Sequence, residues 1–158
     1  MMLNAQVPHK LLERLYPPHV FALAVVAMAI LGWLLPGAIV IGGYWRTIAI
    51  VPGVASLALA VTAFRGFGAA DTTVVPFEHS NALVTTGPFA LTRNPLYLSL
   101  ALLLAAIATA LGSLTPWLGV IGFVVAIDRL FIVHEEQMLA ERFGADYGDY
   151  RSKVRRWI

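Results

Sequence analysis

The sequence predicts an all-α polytopic membrane protein of about four transmembrane helices, ending in a helical hairpin and an amphipathic tail. Three observations carry that expectation. Of 158 residues, 59% are hydrophobic and only 13% charged, where soluble domains carry about 25% charged residues. Mean hydropathy is +0.77. The apolar residues also gather into segments close to the roughly 20 residues needed to cross a bilayer.

The elements follow in order. Val20–Leu35 is the first span, bounded by Pro17-Pro18 and Pro36-Gly37. Its apolar run has no small-residue cleavage pattern behind it, so it reads as a retained anchor rather than a signal peptide. Thr47–Phe64 is the second span, with Pro52 near its start. Pro95–Leu111 is the third. Pro116–Val133 is the fourth, with a helical pattern continuing to Phe143 before Gly144 stops it. A helix of that length covers about 42 Å at 1.5 Å per residue and projects beyond the hydrocarbon layer. Gly112-Ser113-Leu114-Thr115 is so short a link that the last two spans form an antiparallel αα-hairpin. Thr115-Pro116 reads as N-cap and first helical residue. The whole chain, 1–158, is one membrane domain.

Basic residues set the orientation. Lys10 and Arg14 precede the first span, and Arg46 lies in the loop after it. Arg65 and Arg93 flank the next loop, the hairpin turn has no basic residue, and Arg142, Arg151, Lys153, Arg155 and Arg156 crowd the tail. This alternation puts both termini and the Arg65–Arg93 loop on the cytoplasmic side. In the tail, Tyr147, Tyr150 and Trp157 are expected at headgroup level, with Arg and Lys facing anionic lipid. A net charge of +2 argues against a nucleic-acid partner. The absence of cysteine excludes disulfides, thiolate nucleophiles and Cys-ligated metals. His79 and His134 lack the neighbours a metal site needs, so no metal is expected.

Two polar clusters fall on the cytoplasmic side. In the first, Asn94 reads as N-cap and Pro95 as first residue of the third span. A helix start has free amides and a positive dipole, a ready anion site. Arg93 adds a planar donor fork, Tyr97 a hydroxyl, and Gly87-Pro88 a turn that lets backbone approach a ligand. The plainer reading is ordinary capping, with Arg93 as a topogenic charge. In the second cluster, Asp128 and Arg129 lie inside an apolar helix, with Glu135 and Glu136 near its end. Regular helical spacing puts Arg129 with Glu136 on one face and Asp128 with Glu135 on another. Intramembrane ionisable groups are costly and face partners or wet cavities. The glutamates can receive a cation or a ligand's ammonium. The plainer reading is an Asp128–Arg pair with solvated glutamates. An anion-holding helix start beside two carboxylates suits a zwitterion, such as an amino acid moiety.

In order, Gly87-Pro88-Phe89, Arg93-Asn94-Pro95-x-Tyr97, Glu135-Glu136 and Phe143-Gly144-x-x-Tyr147-x-x-Tyr150 resemble the isoprenylcysteine carboxyl methyltransferase and phospholipid methyltransferase family. The likeness runs over 77–158. It implies an integral membrane methyltransferase using S-adenosylmethionine, with the cofactor in a cytosol-facing pocket built by the hairpin and tail. The methyl acceptor, a lipophilic small molecule or lipid, enters from the membrane. By that resemblance Thr86, Gly87, Pro88, Phe89, Arg93, Asn94, Tyr97 and Leu98 line the cofactor, and Glu135 and Glu136 complete its polar end. Eukaryotic members have His where Asn94 stands, so an imidazole base is not available here. Arg129 is the nearest counterpart of their substrate-side Arg, with Phe131 the other candidate.

A carboxylate or thiolate acceptor needs alignment and desolvation more than a base. An amine acceptor must be neutral, and Glu136 is placed to take its proton. The catalytic candidates are therefore Glu136 and Arg129. Two other readings stand beside this one: a sterol-reductase-type membrane enzyme using NADPH, and a non-catalytic scaffold or transport subunit.

Overall fold

The computed structural model describes residues 16–70 and 82–158. Lys10, Arg14, Phe77 and His79 lie outside the described residues. Four apolar helical stretches run through the described part. α1 is Pro17–Leu34, α2 is Ile50–Ala69 with a 3-10 turn, Gly43–Ala49, leading into it, and α3 is Pro95–Leu111. α4, Pro116–Ile127, passes through a π turn, Asp128–Ile132, into α5, Val133–Lys153. Three stretches are long and apolar enough to cross a membrane: Pro17–Leu34, Gly43–Ala69 and Pro116–Lys153. α3 has 17 residues and at 1.5 Å per residue spans about 25 Å, the short side of a bilayer core.

Proline sets the helix starts because its fixed φ suits the first turn and its missing N–H is not needed there. Pro17, Pro95 and Pro116 all stand at such positions. The expected side-chain caps are absent. Asn94 and Thr115 sit where N-caps belong, yet neither makes a side-chain cap hydrogen bond. Each side chain instead donates to a tertiary carbonyl. The Thr115 hydroxyl donates to the Pro36 carbonyl at 3.2 Å, and Asn94 Nδ2 donates to the Arg156 carbonyl at 3.0 Å.

α3 is the central helix. It packs between α2 and α4 and also meets α1, while α1 lies along α4. Small residues allow the close approaches. Ser56 of α2 donates to the Ser99 carbonyl of α3 at 2.6 Å, and Ala63 is fully buried. At the α1–α4 crossing, a Cβ on Gly119 would run into the Met28 side chain. The interior is Met28, Leu104, Phe123, Ile127, Phe131 and Ile132. Outside, Leu23, Ile30, Val54, Leu57, Leu118 and Ile121 are exposed. That apolar girdle is what a chain solvated by lipid requires.

The hairpin turn is sealed from the side of the α1–α2 connection. Val40 and Ile41 both donate their amides to the Gly112 carbonyl, at 2.8 and 3.0 Å, and Leu114 donates to Ala38 at 3.0 Å. Gly112 has φ of 77°, and a Cβ there would strike the Ile41 carbonyl and the Arg46 guanidinium. Trp33, Tyr44 and Trp45, on α1 and the connection, are exposed, as an aromatic belt at one membrane surface would be.

Three features differ from the sequence expectation. The long last helix is not uniformly α. A π turn inserts in effect one extra residue and retards everything beyond it by about 100°. Asp128 and Glu136, eight apart in sequence, therefore behave as if seven apart and share a face, which regular spacing did not predict. Next, the helix does break at Gly144 (φ 51°, ψ −118°), as expected, but a second helical segment follows the kink and runs to Lys153. Finally, Tyr147 and Tyr150 are packed inside the protein instead of facing lipid, 1% and 8% exposed. The bend at Gly144 turns that face inward, where the Tyr150 hydroxyl donates to the Phe89 carbonyl at 2.7 Å.

Candidate active site

The polar residues of an otherwise apolar protein converge where the start of α3, the π turn, the first turn of α5 and the C-terminal residues meet. Glu136 is the centre. Its side chain is 8% exposed and stands between two guanidinium groups. Arg93 donates to Glu136 Oε1 from Nε (3.2 Å) and Nη2 (2.7 Å). Arg156 donates from Nε to Oε1 (3.1 Å) and from Nη2 to Oε2 (2.6 Å). Arg156 Nη1 also reaches both Asp128 oxygens, at 3.1 and 3.3 Å. Trp157 Nε1 adds a bond to Asp128 Oδ1 at 3.3 Å. The hydrogen-bonded Glu136, with Asp128 beyond it, holds Arg156 protonated well above the ordinary guanidinium range.

The last residues form a strap over the start of α3. Val154 is extended (φ −118°, ψ 131°), which lets the tail lie alongside residues 92–94. The Arg93 amide donates to Arg155 O at 3.0 Å. Arg93 Nη1 donates to Val154 O at 2.6 Å and Arg151 O at 3.2 Å. The Thr92 hydroxyl and Asn94 Nδ2 both donate to Arg156 O at 3.0 Å. Arg93 thus divides its donors between Glu136 and the protein's own tail. A guanidinium suits this because its planar fork serves several fixed acceptors at once.

Glu135 is held differently. Its Oε1 accepts one short bond, 2.6 Å, from the Tyr97 hydroxyl. Among the described residues, no guanidinium bonds to it. Tyr97 is 8% exposed, and its ring lies 6.5 Å from that of Phe131. The two neighbouring glutamates therefore differ in kind: one is locked between cations, and the other, among the described residues, is paired with a phenol.

The other sequence candidates are placed as follows. Leu98 donates its amide to the Asn94 carbonyl at 2.9 Å, the opening bond of α3. Thr86 and Gly87 are exposed, with Gly87 at φ 61° making the turn that starts a short 3-10 segment, Gly87–Ala90. Pro88 accepts from Leu91 and Thr92 (3.1 and 3.2 Å). Phe89 is buried under the Tyr150 hydroxyl and edge-on to Phe67, 5.0 Å away. Arg129 is not brought into the cluster. Its side chain is 77% exposed and comes no nearer Asp128 than 3.9 Å. Among the described residues, no group of His, Asp and Glu side chains is arranged to hold a metal ion.

Residues 44–146 match the phospholipid methyltransferase family. The chain belongs to that family. The matched segment holds Arg93, Tyr97, Glu135 and Glu136, so the family's characteristic stretch is the one that builds the cluster, with the strap joining from beyond it. This phospholipid methyltransferase relative is thereby an integral membrane protein of a methyltransferase family. The chain is also similar to an uncharacterized protein of Haemophilus influenzae, 46% identical over 63 residues, which is 40% of this chain and the whole of that relative.

Asp128, Arg156, Trp157 and Thr92 were not among the site candidates read from sequence. Asp128 stood out as an intramembrane charge, but its partner could not be named. Arg156 looked the same as Arg155 beside it. The one is half-buried among carboxylates and the other exposed, and only the course of the strap separates them.

Proposed function

We propose that this protein is an S-adenosylmethionine-dependent methyltransferase, with its cofactor site in the Arg93–Glu136 cluster on the cytoplasmic side and a lipophilic acceptor reaching it from the membrane. The observation that carries this is the convergence of Arg93, Tyr97, Glu135, Glu136 and Arg156 at one end of the α3–α4 hairpin, in a member of a methyltransferase family. Cationic and anionic groups in one small cluster complement a ligand that is itself zwitterionic. A ligand bearing a simple anion would want the guanidinium groups without the three carboxylates.

When bound, S-adenosylmethionine supplies a methyl group on a sulfonium, ready for displacement. Its amino acid end would be held by this cluster. Glu135, which no guanidinium among the described residues engages, is the carboxylate we assign to a ligand cation. Should the acceptor be an amine, Glu136 is a poor base for it, because Glu136 is already committed to two arginines. Glu136 then acts as a positioning residue that fixes Arg93 and Arg156. Tyr97 aims Glu135 by its hydroxyl. The apolar surroundings of Phe131 and Ile132 exclude water, which strengthens each polar contact and protects the transferred methyl from hydrolysis. Arg129, facing outward, has no part in this cluster.

Isothermal titration of purified protein with S-adenosylhomocysteine tests the reading. Wild type should bind, and Glu135→Gln should bind at least about tenfold more weakly, the loss of a charge-assisted contact. A parallel titration with NADPH should give no heat. Binding of NADPH but not S-adenosylhomocysteine would replace this reading with the reductase one.

A further inference from the structure

One buried polar atom in the cluster's neighbourhood is left without a hydrogen bond among the described residues. The Tyr147 hydroxyl is enclosed and has no hydrogen-bond partner among the described residues, and the residue is 1% exposed. Buried hydroxyls are nearly always paired, because leaving one unpaired costs about 1–3 kcal/mol. Its neighbour one helical turn on shows the ordinary outcome: Tyr150 donates to the Phe89 carbonyl at 2.7 Å. Tyr147 stands within electrostatic reach of Glu136, Arg93, Arg151 and Arg156. The obvious internal acceptor, Glu136, already takes its bonds from the two arginines. A fixed phenol donor within electrostatic reach of two guanidinium groups is suited to an anionic oxygen that comes from outside the chain.

We propose that the Tyr147 hydroxyl is a ligand-binding donor, and that it receives the carboxylate of the cofactor's amino acid end. The proposal rests on the reading of this cluster as the S-adenosylmethionine site. Tyr147 lies just past the segment that matches the family, 44–146, and reaches the cluster because the chain turns at Gly144 (φ 51°). The remainder of its ring packs near Tyr150, centroids 6.3 Å apart, so the side chain is held in place whether or not the hydroxyl is engaged. A phosphate on a lipid acceptor offers the same kind of oxygen, and the test separates the two sources.

The substitution Tyr147→Phe removes one oxygen and keeps the ring. Two ligands are titrated into wild type and variant: S-adenosylhomocysteine, and 5′-methylthioadenosine, which has the nucleoside and thioether but no amino acid group. The variant should bind S-adenosylhomocysteine about tenfold or more weakly and 5′-methylthioadenosine with unchanged affinity. Its melting temperature without ligand should be unchanged or higher, since an unpaired buried hydroxyl is gone. Tyr150→Phe is the control, with a lower melting temperature and unchanged S-adenosylhomocysteine affinity. Equal S-adenosylhomocysteine affinity in Tyr147→Phe and wild type would overturn the proposal, and would leave a lipid phosphate as the oxygen to try. Equal weakening of both ligands would overturn it as well, by showing a general distortion. If wild type bound neither ligand, the cofactor reading itself would fall and this inference with it.

Discussion

Replacing Glu136 by Gln keeps the size of the side chain and removes the charge that two guanidinium groups share. Breaking one partner out of a buried ion pair costs about 3–5 kcal/mol, because the opposite charge is left buried and uncompensated. The two arginines do not contribute alike. The Arg93 side chain is 10% exposed and has no other carboxylate among the described residues, so it bears nearly the full penalty. Arg156 is 31% exposed and keeps Asp128, so water and the remaining partner offset most of its share. The gain from the amide oxygen, which still accepts a hydrogen bond, pulls in the same direction. The expected loss is therefore at the lower end, about 3 kcal/mol. At roughly 2–4 °C per kcal/mol for a chain of this size, the melting midpoint of detergent-solubilised protein should fall by about 6–12 °C. Because Glu136 anchors the strap through both arginines, cleavage by trypsin at the tail should speed up well below that midpoint. Thermal size-exclusion and limited proteolysis of the same preparation read both effects. A midpoint within about 2 °C of wild type, with the tail equally protected, would refute the view that Glu136 holds this network together.

Asp128→Asn should be milder, about 1 kcal/mol, since it faces a partly exposed arginine, and the difference from Glu136→Gln is readable in the same thermal assay. Ending the chain after Lys153 removes the Arg156 carbonyl that the Thr92 and Asn94 side chains donate to. The truncated protein should insert and remain soluble in detergent but lose binding of S-adenosylhomocysteine, measured by calorimetry. Gly112→Ala should lower the melting midpoint, with a cost of about 1–3 kcal/mol from a positive φ alone and more from the clash with the Ile41 carbonyl. Ligand affinity per folded molecule should not change, because that turn is at the other end of α3 from Arg93. Tyr97→Phe leaves Glu135 without its donor, and should weaken ligand binding while moving the melting midpoint by only a few degrees.

Proline and hydropathy made the helices legible before any coordinates. Pro95 and Pro116 stand at the starts the structure has, and Leu111 at the end of α3, since few residues tolerate those positions and proline prefers them. Arg93, Tyr97 and the two glutamates were legible as a group because charges in an apolar chain have few reasons to be there. The partnerships were not. The pairing of Asp128 with Glu136 through Arg156 depends on a π turn in DRLFI, a run with no residue that marks it. The caps at Asn94 and Thr115 failed for a different reason: local capping is worth only about 1 kcal/mol and yields readily to a tertiary acceptor. Tyr147 and Tyr150 were placed at the surface because aromatics among basic residues are the pattern of a membrane interface. A single bend at Gly144 was enough to turn them inward.

The central claim is that the cluster serves methyl transfer. Its most direct test is incubation of membranes containing the protein with tritiated-methyl S-adenosylmethionine, followed by extraction and mass spectrometry of the labelled product. The account predicts label in a lipophilic product with wild-type protein and background label with Glu135→Gln at equal expression. Label transferred equally by both proteins would contradict the assigned site, and no transfer by wild type in membranes supplied with native lipid would contradict the function.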